Sequence, residues 1–146
     1  MKISNNLNDD IAHAPEWFQR AISVKPEEKV LGHEKGDISY SFWESKSNTG
    51  NLIILIHGTG AHKKWWYPIA PGLNLNAHII SIDLPGMGDS SFRESYKVED
   101  FGDCVTSVIR HEKDINNSSF TYLVGHSLGG HVAGFVATEE KDLIDG

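Results

Sequence analysis

Three apolar runs, each followed by a loop that contains glycine, constrain the fold of this chain more than any other feature of its sequence. The runs cover residues 52–56, 77–82 and 121–124, and the first two are rich in isoleucine. A continuous apolar run, in contrast to an alternating one, is typical of a strand that helices cover on both faces. The three runs therefore predict central strands of a parallel sheet.

Two helical patterns separate the predicted strands. One covers approximately residues 64–75 and has proline in its interior, and the other covers residues 98–112. Phe101, Val105 and Val108 of the second segment recur at the spacing of one helix face. Alternation of strand and helix predicts an α/β fold with a parallel sheet, whose ligands bind at the carboxyl ends of the strands.

The first third of the chain predicts peripheral elements. Residues 1–14 are mostly polar and are expected to form a flexible tail, so that the folded domain covers residues 15–146. A short helix on the outer surface is predicted over residues 15–24. Residues 38–44 alternate apolar and polar side chains, which predicts a half-buried strand at an edge of the sheet.

Size and charge restrict the classes of partner. The chain has 146 residues, of which 39% are hydrophobic, and this amount of apolar material suits one domain with its own core. Its formal net charge is -7 and its basic residues are scattered, so it lacks the basic stripe of a nucleic-acid-binding surface. We therefore expect no nucleic-acid partner.

Cysteine usage and hydropathy restrict the chemistry and the compartment. Cys104 is the only cysteine, which excludes an internal disulfide and a Cys-x-x-Cys site and predicts a small buried side chain. The spacing of the histidines matches no metal motif such as H-E-x-x-H, so we expect neither a metal nor a cofactor. The first residues lack the apolar core of a secretory signal, and no segment has the length of a membrane span. These observations predict a cytoplasmic protein without membrane contact.

The third apolar run leads into a serine flanked by glycines. Gly125, Ser127 and Gly129 form a G-x-S-x-G pattern between a predicted strand and a segment of small residues that suits a helix. In this strand-turn-helix setting the pattern marks a nucleophile at a strained turn, with the glycines removing steric conflict. Ser127 is therefore the candidate nucleophile.

Together, three motifs make the chain resemble the amino-terminal part of an α/β-hydrolase, in the broad group of serine hydrolases with a cap domain. They are residues 55–60 (LIHGTG), 83–90 (DLPGMGDS) and 125–130 (GHSLGG), each following a predicted strand. The resemblance extends over approximately residues 32–140. It implies a three-layer α/β fold with a mostly parallel sheet and flanking helices, truncated before the cap and the carboxyl-terminal strands.

The resemblance also implies roles for residues around Ser127. The backbone N–H groups of Thr59 and Leu128 would form an oxyanion hole for the attacked carbonyl. Supporting roles fall to the remaining motif residues, which are His57, Gly58, Gly125, His126 and Gly129. His57 is expected to hold the loop that carries Thr59 by hydrogen bonds and not to act as a base. The alternative interpretation of residues 57–60 is an ordinary turn at the end of a strand.

Two further motif segments carry weaker expectations. The loop over residues 83–90 is expected to brace the site without performing chemistry, because the family order is Ser, then acid, then His. A carboxylate role for Asp83 or Asp89 is the less favoured alternative. For Trp65 and Trp66, we expect one to be buried and the other to lie near the substrate pocket, and the sequence does not say which.

The implied function is that of a serine hydrolase acting on an ester or related acyl bond of a small molecule. In the family the acid and the histidine base follow later strands, so we expect the 146 residues alone to be nearly inactive. The last strand would then leave an exposed sheet edge that favours self-association or binding of a partner chain. A non-catalytic product that binds a partner is one alternative. Carbon–carbon bond hydrolysis and cofactor-free haloperoxidase chemistry are alternatives within the fold.

Overall fold

A computed structural model describes residues 7–47, 50–73 and 76–146, and in these residues a five-stranded sheet lies between helices. The strands are β1 (Glu27–Leu31), β2 (Ile38–Trp43), β3 (Leu52–Ile56), β4 (His78–Ile82) and β5 (Thr121–Gly125). The helices are α1 (Leu7–Ala12), α2 (Glu16–Ser23), α3 (Ala70–Leu73), α4 (Val98–Asn116) and α5 (Leu128–Glu139), and a short 3-10 helix covers Lys63–Trp66.

The sheet has the order β1-β2-β4-β3-β5. Strand β3 pairs in parallel with β4 on one side and with β5 on the other, and β2 runs antiparallel to both of its neighbours. Four strands therefore point in one direction and β2 in the other. Ile56 pairs with Ile82 and with Gly125, so the loops that follow β3, β4 and β5 meet at one edge of the sheet. The predicted α/β fold is confirmed, with these loops at the carboxyl ends of the parallel strands.

Apolar side chains fill both faces of the sheet. On one face, α4 and α5 pack on β3 and β4 through buried residues that include Ile54, Ile80, Val105, Val108 and Val132. On the other face, the 3-10 helix and α3 contribute Trp66 and Ala70 to a smaller cluster with Trp43, Leu55 and Ile79. The two clusters give three layers, because β3 and β4 are covered on both sides. The prediction of a central, covered strand is wrong for β5, which lies at the edge of the sheet with Tyr122 and Val124 exposed.

The prediction of an edge strand at residues 38–44 is wrong in its burial and its position. All six residues of β2 are buried, and β1 pairs with its outer side. The polar members of the alternation face a hydrogen-bond network and not solvent: Ser39 Oγ accepts from Lys63 Nζ at 2.8 Å, and Ser41 Oγ lies 2.8 Å from the Tyr67 hydroxyl. Strand β1 was missed because its first three residues are charged and it shows no apolar alternation.

The single helix predicted over residues 64–75 is also wrong. The chain forms the 3-10 helix and the four-residue α3 instead, and residues 74–75 lie outside the described residues. Pro68 and Pro71 lack the backbone N–H that a continuous helix would use. The second predicted helix is confirmed as α4, which continues to Asn116 and ends at Asn117 with a left-handed φ of 49°.

The amino-terminal elements lie on the surface. Helix α2 occupies most of the predicted segment 15–24, begins after Pro15 and has no buried residue. The predicted tail contains α1, so it is not irregular throughout, and residues 1–6 lie outside the described residues. Within the described residues, no helix is both long and apolar enough to span a bilayer.

Candidate active site

Ser127 stands at the junction of β5 and α5 in a conformation that serine rarely adopts. Its φ is 54° and its ψ is -117°, and its side chain is exposed. A non-glycine residue with positive φ is sterically strained, and such strain persists only where the surrounding structure enforces it. The turn therefore presents the hydroxyl above the carboxyl end of the sheet.

The glycines on either side of Ser127 allow β5 and α5 to approach each other. A Cβ atom on Gly125 would lie 2.2 Å from the carbonyl oxygen of Gly129. A Cβ atom on Gly129 would lie 2.2 Å from the carbonyl oxygen of Ile56 in β3. Both contacts are with backbone atoms, so neither position accepts a side chain without displacement of a strand or of the helix.

The loop after β3 lies directly against this turn. The His126 N–H donates to the Ile56 carbonyl at 3.0 Å. A Cβ atom on Gly58 would lie 3.2 Å from Ser127 Cβ and 3.0 Å from His126 Nδ1. The structure thus brings the His57–Gly58–Thr59 segment to Ser127, as expected for neighbouring parallel strands. Thr59 follows the point of closest approach and is exposed.

The amino terminus of α5 adds donors on the other side of Ser127. Leu128 is the first residue of α5, and N–H groups in the first turn of a helix have no intrahelical acceptor. The aligned peptide dipoles also place partial positive charge at this end. Negative charge that develops beside Ser127 is therefore stabilised by the local backbone.

His57 is fully buried and engages both of its ring nitrogens. Nδ1 lies 2.8 Å from the Gly58 carbonyl, and Nε2 accepts the Leu84 N–H at 3.1 Å. Burial lowers the pKa of His57, and the backbone contact with Gly58 and the charge of Asp83 oppose this only in part. The ring is therefore neutral with its proton on Nδ1, and it connects the end of β3 to the end of β4. Neither nitrogen is free to accept a proton from Ser127.

The two tryptophans of the 3-10 helix have different environments, which the sequence left open. Trp66 is buried in the smaller core cluster. Trp65 is 57% exposed, and its ring stacks on that of His126 with centroids 5.9 Å apart and an interplanar angle of 25°. Trp65 and His126 therefore form an aromatic surface next to Ser127.

Sequence reasoning missed Lys63, the most extensively bonded side chain near the site. It is 2% exposed, and its Nζ donates to Asp83 Oδ2 at 3.0 Å and to Asp89 Oδ2 at 2.6 Å in addition to Ser39. Burial alone would lower the pKa of Lys63, but the hydrogen bonds that Lys63 donates to Asp89 and Asp83, with the charges of both carboxylates, outweigh it and raise the pKa. The hydrogen bond that Lys63 donates to Asp89 lowers the pKa of Asp89. The one sequence feature that pointed to a buried charge here was Asp83, which directly follows a buried strand.

Among the described residues, neither a base nor an acid lies beside Ser127. Within them, the Ser127 hydroxyl has no hydrogen bond to a histidine or a carboxylate. In the same part of the chain, no three His, Cys, Asp or Glu side chains are grouped so that they could hold a metal ion. Asp83 and Asp89 are engaged with Lys63 and not with Ser127. The turn and its donors are thus present without a neighbouring base.

Comparison with known proteins agrees with this geometry. The sequence model of the Alpha/beta hydrolase family matches residues 53–146. Monoacylglycerol lipase ABHD6 of Mus musculus is 31% identical over 130 residues, which cover 83% of this chain and 35% of that protein. A pimeloyl-[acyl-carrier protein] methyl ester esterase of Neisseria meningitidis is 33% identical over 92 residues, which cover 63% of this chain and 33% of that protein.

Solved structures show the same fold. The thioesterase domain from the curacin biosynthetic pathway superimposes with a TM-score of 0.72 at 28% identity, covering 83% of this chain and 42% of that chain. The chain spans about a third of the length of the curated relatives that it matches.

Proposed function

Because the chain belongs to the alpha/beta hydrolase family, we propose that it carries the nucleophile and oxyanion hole of a serine hydrolase that cleaves an ester or related acyl bond. The observation that carries this proposal is the strained turn at Ser127, which packs so closely on Gly58 that a Cβ atom there would lie 3.2 Å from Ser127 Cβ. Strain of this kind is retained where it serves a site.

In the proposed reaction, Ser127 Oγ attacks the carbonyl carbon of the substrate. The carbonyl oxygen becomes an oxyanion in the tetrahedral intermediate, and the backbone N–H groups of Thr59 and Leu128 donate to it. Loss of one such donor typically costs about 3 kcal/mol of transition-state stabilisation. The alcohol or other leaving group departs when the intermediate collapses to an acyl-serine, which water then hydrolyses.

Removal of the Ser127 proton requires a base that the described residues do not place beside it. We propose that the histidine base and its acid belong to a part of the protein outside these 146 residues, in the family order of Ser, acid and His. Removing the base of a comparable triad lowers turnover on the order of 10⁶-fold. The 146 residues alone are then expected to be nearly inactive.

The surroundings of Ser127 favour an uncharged acyl substrate. Trp65 and His126 offer an aromatic surface beside the nucleophile, and aromatic rings bury apolar chains well. The similar proteins named above include a monoacylglycerol lipase and a methyl ester esterase, and both names describe the hydrolysis of esters. This chain is therefore proposed to act on small esters with an apolar acyl or alcohol group.

Chemical rescue tests the proposal on the chain itself. We would add imidazole as an external base and follow p-nitrophenyl butyrate cleavage, with mass spectrometry to locate the butyryl group. We expect imidazole to support acylation of Ser127, giving a burst of p-nitrophenol above the rate of imidazole alone. Ser127→Ala should abolish the burst, whereas Ser23→Ala, a change at an exposed serine on α2, should retain it.

Two results would contradict the proposal. Equal acylation of wild type and Ser127→Ala would remove Ser127 from the nucleophile role. A wild-type chain that acquires no acyl group at Ser127 at any imidazole concentration would favour the non-catalytic alternative. Rapid acylation without imidazole would instead contradict the placement of the base outside these residues.

A further inference from the structure

We propose that Lys63 is a positioning residue for the oxyanion hole, acting through Asp83 to hold the loop that carries Thr59. This inference rests on the proposed function, because it assigns Lys63 a role in the same site. We call residues 57–63 the oxyanion loop. Lys63 does not touch the expected position of the substrate, and its effect passes through the backbone of this loop.

Both ends of the oxyanion loop are attached to consecutive residues after β4. At one end, His57 Nε2 accepts the Leu84 N–H at 3.1 Å. At the other end, the Lys63 N–H donates to Asp83 Oδ1 at 2.6 Å. Asp83 and Leu84 therefore fix the span of the loop from its first residue to its last.

The loop between these ends is too short and too tightly turned to absorb a displacement. The Ala61 N–H donates to the Gly58 carbonyl at 3.2 Å, and Gly60 has a φ of 71°. Thr59 lies inside this turn. Movement of the Lys63 end will therefore rotate the peptide that provides the Thr59 N–H, while Gly58 stays confined against Ser127.

The charges of Lys63 and Asp83 explain why this end of the oxyanion loop stays attached to Asp83, a contact that we call the anchor. The Asp83 side chain is only 1% exposed, and it accepts from Lys63 Nζ at 3.0 Å, from the Lys63 N–H and from the Asp89 N–H at 2.9 Å. A Cβ atom on Gly88 would lie 2.3 Å from this carboxylate, so glycine there leaves space for the contacts. A buried ion that loses its partner is strongly disfavoured, so neither Lys63 nor Asp83 can leave while the other remains charged.

The test variant must remove the anchor without leaving a buried charge. Lys63→Met alone would leave Asp83 unpaired, so we would combine it with Asp83→Leu, which has a similar size and also removes the oxygen that accepts the N–H of residue 63. The other carboxylates near Lys63 Nζ, Asp89 and Glu28, are 69% and 52% exposed, and water can solvate them after the change. Lys64→Met is the matched control, because Lys64 is adjacent, has the same charge and is exposed.

Acylation kinetics in the imidazole assay measure positioning. We expect the double variant to lower the maximal rate of Ser127 acylation by about tenfold to a hundredfold, since small misplacements at a reacting centre have effects of this size. The half-saturating ester concentration should change less than about twofold, because the donor acts mainly in the transition state. Lys64→Met should match wild type in both quantities. A cooperative thermal transition of each variant establishes that it is folded.

Hydrogen exchange provides a readout that does not need activity. Amides of residues 58–62 should exchange faster in the double variant than in wild type, whereas those of β3 should not change. A wild-type acylation rate or unchanged exchange at 58–62 in the double variant would overturn the positioning role. If wild type shows no Ser127-dependent acylation, the proposed function fails on that result, and the exchange measurement alone decides whether Lys63 anchors the loop.

Discussion

Gly129→Ala is expected to disrupt both the packing and the chemistry of the site. The new Cβ would lie 2.2 Å from the Ile56 carbonyl oxygen and 2.7 Å from that of His57. Relief of the first contact needs a movement of about 0.8 Å, because real Cβ atoms stay 3.0 Å or more from such neighbours. Both obstacles are backbone atoms of the oxyanion loop or of β3. The amino terminus of α5, with Ser127 and Leu128, must therefore move away from the sheet.

Two opposing effects set the change in the free energy of unfolding that Gly129→Ala should cause. Overpacking of this kind destabilises by about 1–3 kcal/mol, whereas replacing a helical glycine with alanine alone stabilises by up to about 1 kcal/mol. Gly134→Ala in the same helix isolates the second effect, since its Cβ would meet nothing within 4 Å. Because the second effect is common to both variants, their free energies of unfolding should differ by about 1–3 kcal/mol, with Gly129→Ala the less stable.

Urea denaturation followed by circular dichroism measures this difference, and the imidazole assay measures its effect on chemistry. We expect Gly129→Ala to acylate Ser127 about a hundredfold more slowly than Gly134→Ala, since a displacement near 1 Å moves both the nucleophile and a donor. If Gly129→Ala were as stable and as reactive as Gly134→Ala, the close packing of α5 on β3 would not control the site.

Three further predictions concern Trp65, Tyr40 and pH. Trp65→Ala should raise the half-saturating concentration of an apolar ester such as p-nitrophenyl octanoate, yet change the free energy of unfolding by no more than about 0.5 kcal/mol, because the ring is exposed; unchanged saturation would contradict a role in the substrate surface. Tyr40→Phe removes the 2.6 Å hydrogen bond to the buried Glu112 and should destabilise by about 1.5–3 kcal/mol in urea titration. Burial lowers the pKa of both His57 and His78, so the unfolded chain binds more protons than the folded chain below about pH 6.5. The free energy of unfolding should therefore fall from pH 7 to pH 5.5, and a flat profile would show that these histidines stay equally protonated in both states.

The elements that could be predicted are those with a strong local pattern. The run of β3 is apolar throughout, those of β4 and β5 are mostly apolar, and α4 repeats its apolar residues at helical spacing, so each could be recognised without its neighbours. The position of Ser127 between a strand and a helix was also predictable from the G-x-S-x-G pattern, although the contact that requires glycine at 129 is with β3 and not within the turn. Strand β1 has no such pattern. It forms a strand because its backbone pairs with that of β2, a contact that the local sequence does not indicate.

Local sequence patterns are enough to predict the α/β class, the order of the apolar strands along the chain and the turn that exposes Ser127. These depend on side-chain periodicity and on glycine conformations within a few residues. Only the tertiary structure decided that β2 is interior, that Trp66 and not Trp65 is buried, and that Lys63 is buried against Asp83. Each of these depends on contacts between residues far apart in the chain, and a buried lysine is stable only because folding brings its carboxylate partners to it.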